Sequence, residues 1–324
     1  MVLSMREAIL ASIDAEMARD SNVIVVGQDI GIFGGPLKST EGLLERFGPD
    51  RVLEMPICES GMTAMAVGAA LTGLRPIVEI MFTDLLPVAT TSIVQVAAAF
   101  RYMTDGKGAV PMVIRARGGD GPYRAHPQNY EALFSHAPGL IVVFPSNPGD
   151  AMGLMRAAIR TDDPVLFIEN IFLYNAPKGE VPEGNEFVVP LGTANIARAG
   201  KDVTVVTYGR AVRTSLAAAE QLSAEGIDAE VVDLRTVCPI DRERVLGSVE
   251  KTGRLLTVHE AWLYGGIGAE LVAEVVEEGW SRLKAPPMRI GAPPFSVPWA
   301  EPLRDVFVPT RGAVADACRT LVRA

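Results

Sequence analysis

Short, mainly apolar runs alternate with helix-length segments along most of the chain, and this alternation restricts the fold more than any other feature. Val23-Ile24-Val25-Val26-Gly27 is the first run, and residues 76–82, 111–117, 140–144 and 164–169 follow it. Apolar runs of strand length, without an alternating polar face, are the pattern of strands covered on both sides. Between them the spacing predicts helices. Ser4-Met5-Arg6-Glu7 is a capping-box pattern, and Ile9, Ile13 and Met17 carry that helix to about Asp20. A second helix is expected from about Thr90 to Tyr102, and Asn147-Pro148-Gly149-Asp150 opens a third that runs through Ile159. A stretch rich in Pro, Gly and Glu over 175–190 reads as a linker, after which strands are expected at 203–207, 230–234 and 255–259. Helices at 211–225, 241–250 and 267–278 alternate with them. The fold class is therefore α/β, with two doubly wound domains in series and parallel sheets covered on both faces. The expected boundaries are a first domain over 1–175, a linker over 176–192 and a second domain over 193–324.

A chain of 324 residues, 48% hydrophobic and 21% charged, is long enough for two such cores. Its net charge of −9 argues against nucleic acid or anionic membrane partners. Cys58, Cys238 and Cys318 are too few and too widely spaced for a disulfide framework or a zinc pattern, and read as ordinary reduced, buried thiols. No metal site is expected. The N-terminus opens into an amphipathic pattern without a leader, and no apolar run approaches membrane-spanning length, so a cytoplasmic protein is expected.

Polar residues at the C-terminal end of a parallel strand belong near a ligand, which draws attention to Gln28-Asp29 and the glycine-rich loop 31–35. A lone acid stands out further on, in Met55-Pro56-Ile57-Cys58-Glu59-Ser60-Gly61-Met62. After Pro56 the backbone is extended, and the small and apolar residues from Thr63 form a helix expected to be buried on every face. Glu59 then sits at a buried helix start. Two readings are open: a carboxylate held by free backbone N–H groups and the helix dipole, or a desolvated acid kept for proton transfer.

Pro56-Ile57-Cys58-Glu59-Ser60-Gly61, with Gly48-Pro49-Asp50-Arg51-Val52 before it and Val67-Gly68-Ala69-Ala70-Leu71-Thr72-Gly73-Leu74-Arg75-Pro76 after it, resembles the β subunit of the decarboxylating component of 2-oxoacid dehydrogenases. The resemblance continues through Val232-Asp233-Leu234-Arg235-Thr236, His259-Glu260-Ala261 and Gly265-Gly266-Ile267-Gly268-Ala269-Glu270, and so covers nearly the whole chain. It implies a transketolase-like pyrimidine-binding domain followed by a transketolase C-terminal domain. It also implies thiamine diphosphate as cofactor. Glu59 would hydrogen-bond the aminopyrimidine, favouring the tautomer that removes the thiazolium proton, and Ile57, Met81 and Leu85 would line the same ring. His126, in Arg124-Ala125-His126-Pro127-Gln128-Asn129, would stand at the active-site entrance and assist acyl transfer to a lipoyl group; a loop histidine by itself is more often a surface or packing residue. His136 reads as a packing residue and His259 as part of a subunit contact.

Gly119-Asp120-Gly121 imitates the start of a thiamine diphosphate and metal motif, but Asn129 follows far too soon. In the family the α subunit supplies the diphosphate and Mg2+ site, so an α partner is implied, as two α and two β chains, together with a lipoyl domain of an acyltransferase. Gly266-x-Gly268 lacks the third glycine of a dinucleotide fingerprint and reads as a tight turn into a helix. Several positions depart from the family. Gln28 stands where a glutamate of an acidic proton path is usual, Leu85 replaces an aromatic, Thr91-Ser92 replaces an Asp-Gln pair, Pro127 replaces a serine, and Thr161 with Asp163 alters a loop that often holds potassium. The reading is a β subunit of a 2-oxoacid or acetoin dehydrogenase. Its rivals are a split transketolase-like carboligase subunit and a non-catalytic paralogue that stabilises its partner.

Overall fold

The computed structural model describes residues 1–119, 126, 128–174, 176–184, 186–298 and 300–324, with backbone alone at 301, 304 and 305. Asp120, Gly121 and Pro127, which the sequence reading singled out, lie outside the described residues. Two compact units result, one of Met1–Gly118 with Leu133–Leu191, the other of Gly119–Ala132 with Gly192–Ala324.

In the first unit six strands lie in the order Ile141–Val143, Val165–Asn170, Val113–Gly118, Arg75–Ile80, Val23–Gly27, Val52–Glu54, and all five pairings are parallel. Val23–Gly27 is buried along its whole length, as its unbroken apolar run requires. The chain leaves Val23–Gly27 toward the edge strand Val52–Glu54 but leaves its neighbour Arg75–Ile80 toward Val113–Gly118, in the opposite direction. That reversal opens a crevice outside the C-terminal ends of the two strands, where Gln28 and Met81 follow. The helix Met5–Arg19 starts with the capping box: Ser4 Oγ accepts from the Glu7 N–H and the Glu7 carboxylate from the Ser4 N–H. Its Ile9, Ile13 and Met17 pack with Leu154, Met155 and Ile159 of Pro148–Arg160, whose N-cap is Asn147. Residues 176–184 and 186–191 group with this unit, and Gly179–Glu180 pairs antiparallel with Val2–Leu3.

The expected helix from Thr90 to Tyr102 is instead a 3-10 turn at Thr83–Ala89, a π-helical stretch at Thr91–Ala98 and an α-helical turn at Ala99–Met103. Pro87 has no N–H to continue a regular ladder, and the wider π winding follows it. No single helix among the described residues is long and apolar enough to cross a membrane, and Thr83–Ala89 with Thr91–Met103 reaches that length only across a 64° bend.

The second unit corrects the expectation of a wholly parallel sheet. Its order is Met288–Ala292, Leu255–Trp262, Val203–Thr207, Ala229–Asp233, Asn195–Arg198, and the last strand runs antiparallel at the edge. Asn195–Arg198 and Met288–Ala292 escaped the sequence reading because edge strands are covered less and carry polar residues that break the apolar run. The final helix, Arg311–Arg323, was also not anticipated. Thr310 caps it, and it lays Val314, Ala315, Cys318 and Leu321 onto the sheet.

Candidate active site

At the crevice of the first unit a narrow cleft is lined by Gln28, Pro36, Glu59, Met62, Glu79 and Met81. Each residue arrives there for a local reason. Gln28 and Met81 follow directly on adjacent parallel strands. A Cβ at Gly27 would lie 2.9 Å from Ile30 Cγ2 and 3.1 Å from Glu79 Cβ, so only glycine lets the two strand ends approach this closely. The turn beyond Gln28 is pinned by Glu54, whose carboxylate accepts from the Asp29 N–H at 2.6 Å and the Gly31 N–H at 2.7 Å. Glu59 is the first residue of the helix Glu59–Leu71, where backbone N–H groups have no partner within the helix. It is 8% exposed, and its carbonyl accepts from Thr63 Oγ1 at 2.6 Å, fixing the first turn.

That helix does not bury every face. Glu59, Met62, Thr63, Ala66, Val67 and Ala70 point inward, whereas Ser60, Gly61, Ala64, Met65, Gly68 and Leu71 are exposed. Small residues permit close packing from all sides, but this chain supplies neighbours on one side. Cys58, expected to be buried, is exposed as well.

Glu79 was not among the sequence candidates, and it is the most heavily engaged carboxylate in the cleft. Parallel register sets Glu79 beside Arg115 and Arg117 beside Glu169. Arg115 donates from Nη1 to Glu79 at 2.8 Å and from Nε and Nη2 to Glu169 at 2.6 and 3.1 Å, while Arg117 pairs with Glu79 at 2.9 Å. Ser39 Oγ donates to Glu79 at 2.9 Å, and the Tyr174 hydroxyl donates to Glu169. Two buried cations and two buried anions thus balance within one hydrogen-bonded cluster, the condition under which charge is tolerated in a core. Burial works against the Glu79 carboxylate, but the two guanidinium groups outweigh it and hold its pKa below the ordinary value. Arg117 also donates to the Met81 carbonyl at 3.3 Å, which ties the cluster to the cleft wall. An acid and two arginines inside otherwise apolar strand runs were the available signal.

Of the residues expected around the aminopyrimidine, Glu59 and Met81 meet in the cleft together with Gln28. Ile57 is 73% exposed and Leu85 is half-buried within Thr83–Ala89, and neither lines it. No group of three or more His, Cys, Asp or Glu side chains among the described residues is arranged to hold a metal ion.

His126 belongs to the second unit, in a bend, and is half-buried. His136 is exposed, so it is not the packing residue expected. His259 is 1% exposed in the interior of Leu255–Trp262, which removes its ring from any subunit contact. Burial lowers its pKa to about 4, so the ring is neutral, and Nδ1 lies 3.1 Å from the Ala261 carbonyl, the place of an N–H donor. A Cβ at Gly266 would come within 2.6 Å of this ring and one at Gly268 within 3.0 Å, so these glycines make room for an imidazole rather than a dinucleotide. Tyr208 stacks on the ring at 6.1 Å and donates to Glu131 at 2.8 Å. Glu131 is fully buried, and burial pushes its carboxyl up to about 7, against the pull of its hydrogen bonds and with the help of Glu260.

A family model of the transketolase pyrimidine-binding domain matches residues 2–175, and one of the transketolase C-terminal domain matches residues 192–314. The chain is 45% identical over 334 residues to the acetoin:2,6-dichlorophenolindophenol oxidoreductase subunit beta of Cupriavidus necator, covering 99% of this chain and 98% of that one. It is 42% identical over 323 residues to the 2-oxoisovalerate dehydrogenase subunit beta of Bacillus subtilis, with the same coverage of 99% and 98%. The pyruvate dehydrogenase E1 component subunit beta of B. subtilis is 40% identical over 322 residues, again covering 99% and 98%. A solved split-gene transketolase superposes with a TM-score of 0.80 at 24% identity over 99% of this chain, a likeness of fold.

Proposed function

The chain belongs to the β subunits of the thiamine diphosphate-dependent 2-oxoacid and acetoin dehydrogenases, and from that premise we propose how its own residues serve the reaction. Members of this family are oxidoreductases that use a lipoyl acceptor, and they act with α subunits. The proposal is that this chain holds the aminopyrimidine half of the cofactor in the cleft of the first unit, that the α chain holds the diphosphate and Mg2+, and that two chains of each kind assemble. Cytoplasmic location is part of the same proposal.

The carrying observation is that Glu59 and Met81 converge on one cleft at the strand reversal. The lining suits a polar-edged ring: Glu59 would hydrogen-bond its polar groups and Met62 and Met81 would supply apolar contact. It does not suit a diphosphate, because the charged lining residues, Glu59 and Glu79, are both acids. When bound, thiamine diphosphate supplies a carbon nucleophile and an electron sink for cleaving the bond beside a carbonyl. Glu79 is locked as a carboxylate by Arg115 and Arg117, so proton exchange in the cleft falls to Glu59. Met62 and Met81 exclude water from that exchange. His126 acts later, assisting transfer of the acyl group to lipoamide.

Calorimetry tests the divided site. The isolated chain should bind thiamine diphosphate weakly and without dependence on Mg2+, and the α/β mixture tightly. Tight, Mg2+-dependent binding by this chain alone would overturn the division.

A further inference from the structure

We propose that Tyr208, acting through Glu131, is a positioning residue for His126. The inference rests on the reading of His126 as the acyl-transfer residue and adds to it the device that sets its place. His126 is carried by a segment that is interrupted in sequence from the rest of its unit, since Gly119–Ala132 groups with Gly192–Ala324. Side-chain contacts hold its described residues. Asn129 Oδ1 accepts from the Gly119 N–H at 2.7 Å and closes the base of the segment. Tyr130 meets Trp262 edge to face at 6.3 Å, and the Trp262 indole N–H donates to the Phe295 carbonyl at 3.1 Å. Glu131 accepts from the Tyr208 hydroxyl at 2.8 Å in a fully buried setting.

The third contact differs from the others in its surroundings. Tyr208 follows the strand Val203–Thr207, so its ring is set by the sheet, and it stacks on His259, which is itself held between Gly266, Gly268 and Gly291. Burial and the neighbouring Glu131 charge push the Tyr208 phenol up, so it keeps its proton and remains the donor. A buried column of His259, Tyr208 and Glu131 therefore ends five residues beyond His126. All three residues of the column belong to the second unit, whereas the residues lining the cofactor cleft belong to the first.

The test compares Tyr208→Phe, His126→Ala and the double variant in the assembled α/β enzyme, with an artificial electron acceptor and with a lipoyl domain. Phe keeps the stack on His259 and removes only the hydroxyl. Tyr208→Phe should lower lipoyl-dependent kcat roughly tenfold, the weight of one buried hydrogen bond, and leave the artificial-acceptor rate unchanged. The double variant should be no slower than His126→Ala. Hydrogen exchange across residues 128–132 should quicken by a similar factor while the amides of Leu255–Trp262 keep their protection. A selective defect in His126→Ala with wild-type behaviour of Tyr208→Phe in both assays overturns the positioning role and leaves the acyl-transfer reading standing. No selective defect in His126→Ala overturns that reading instead, and unchanged exchange in Tyr208→Phe overturns the anchor whatever the activities show.

Discussion

Replacing Glu131 by Gln should make the protein more stable at alkaline pH and not at acidic pH. Burial raises the folded carboxyl from an ordinary value of 4.5 to about 7. Between these values the folded chain binds a proton that the unfolded chain has lost, so stability declines as pH rises through this window and the loss is complete above it. At 1.36 kcal/mol per pH unit across this window, the penalty is about 3 kcal/mol at pH 8, which an amide does not carry. Seating the amide has its own cost, but that cost is independent of pH and cancels when the two pH values are compared. Urea unfolding followed by tryptophan fluorescence suits the question, because Trp262 and Trp280 fall within Gly192–Ala324. The stability difference between variant and wild type should be roughly 2–3 kcal/mol more favourable at pH 8 than at pH 5. Equal differences at the two pH values would refute the reasoning and return Glu131 to an ordinary carboxylate.

His259 provides the opposite slope. Its folded pKa of about 4 lies below the ordinary 6.5, so its contribution to stability is intact above 6.5 and is lost as pH falls toward 4; in Glu131→Gln, where the opposing titration is gone, the urea midpoint should rise between pH 4.5 and 6.5, and a flat profile would contradict the buried neutral ring. Arg115→Met leaves Glu79 and Glu169 short of their shared cation and should cost about 3–5 kcal/mol in the same assay, whereas a loss below about 1 kcal/mol would mean the cluster tolerates the missing charge.

The strands at Val23–Gly27 and Val165–Asn170 and the caps at Ser4 and Asn147 were legible because each rests on local chemistry: an unbroken apolar run, or a side chain that closes the first turn. Glu59 was legible as a single acid beside a run of small residues. The Glu79–Arg115–Arg117–Glu169 cluster was not, because its charges are separated by long stretches of chain and meet only through parallel register. The same holds for the exposed face of Glu59–Leu71. Composition shows that a helix can pack closely, but only the assembled unit shows which side has neighbours. His259 ends its apolar run in sequence and looked peripheral, yet Leu255–Trp262 continues three residues past it and buries the ring. The grouping of 119–132 with the second unit depends on contacts such as Glu131 with Tyr208, which no periodicity reveals.

The central claim is that Glu59 performs the proton exchange in the cleft while Glu79 stays a fixed anion. Turnover of the α/β enzyme with an artificial acceptor, comparing wild type with Glu59→Gln, tests it most directly, because that assay omits the lipoyl step. Gln has the shape of Glu and cannot exchange a proton, so a loss of at least about a hundredfold is expected with cofactor still bound. Activity within a few-fold of wild type would contradict the account and leave Glu59 as a helix-start residue.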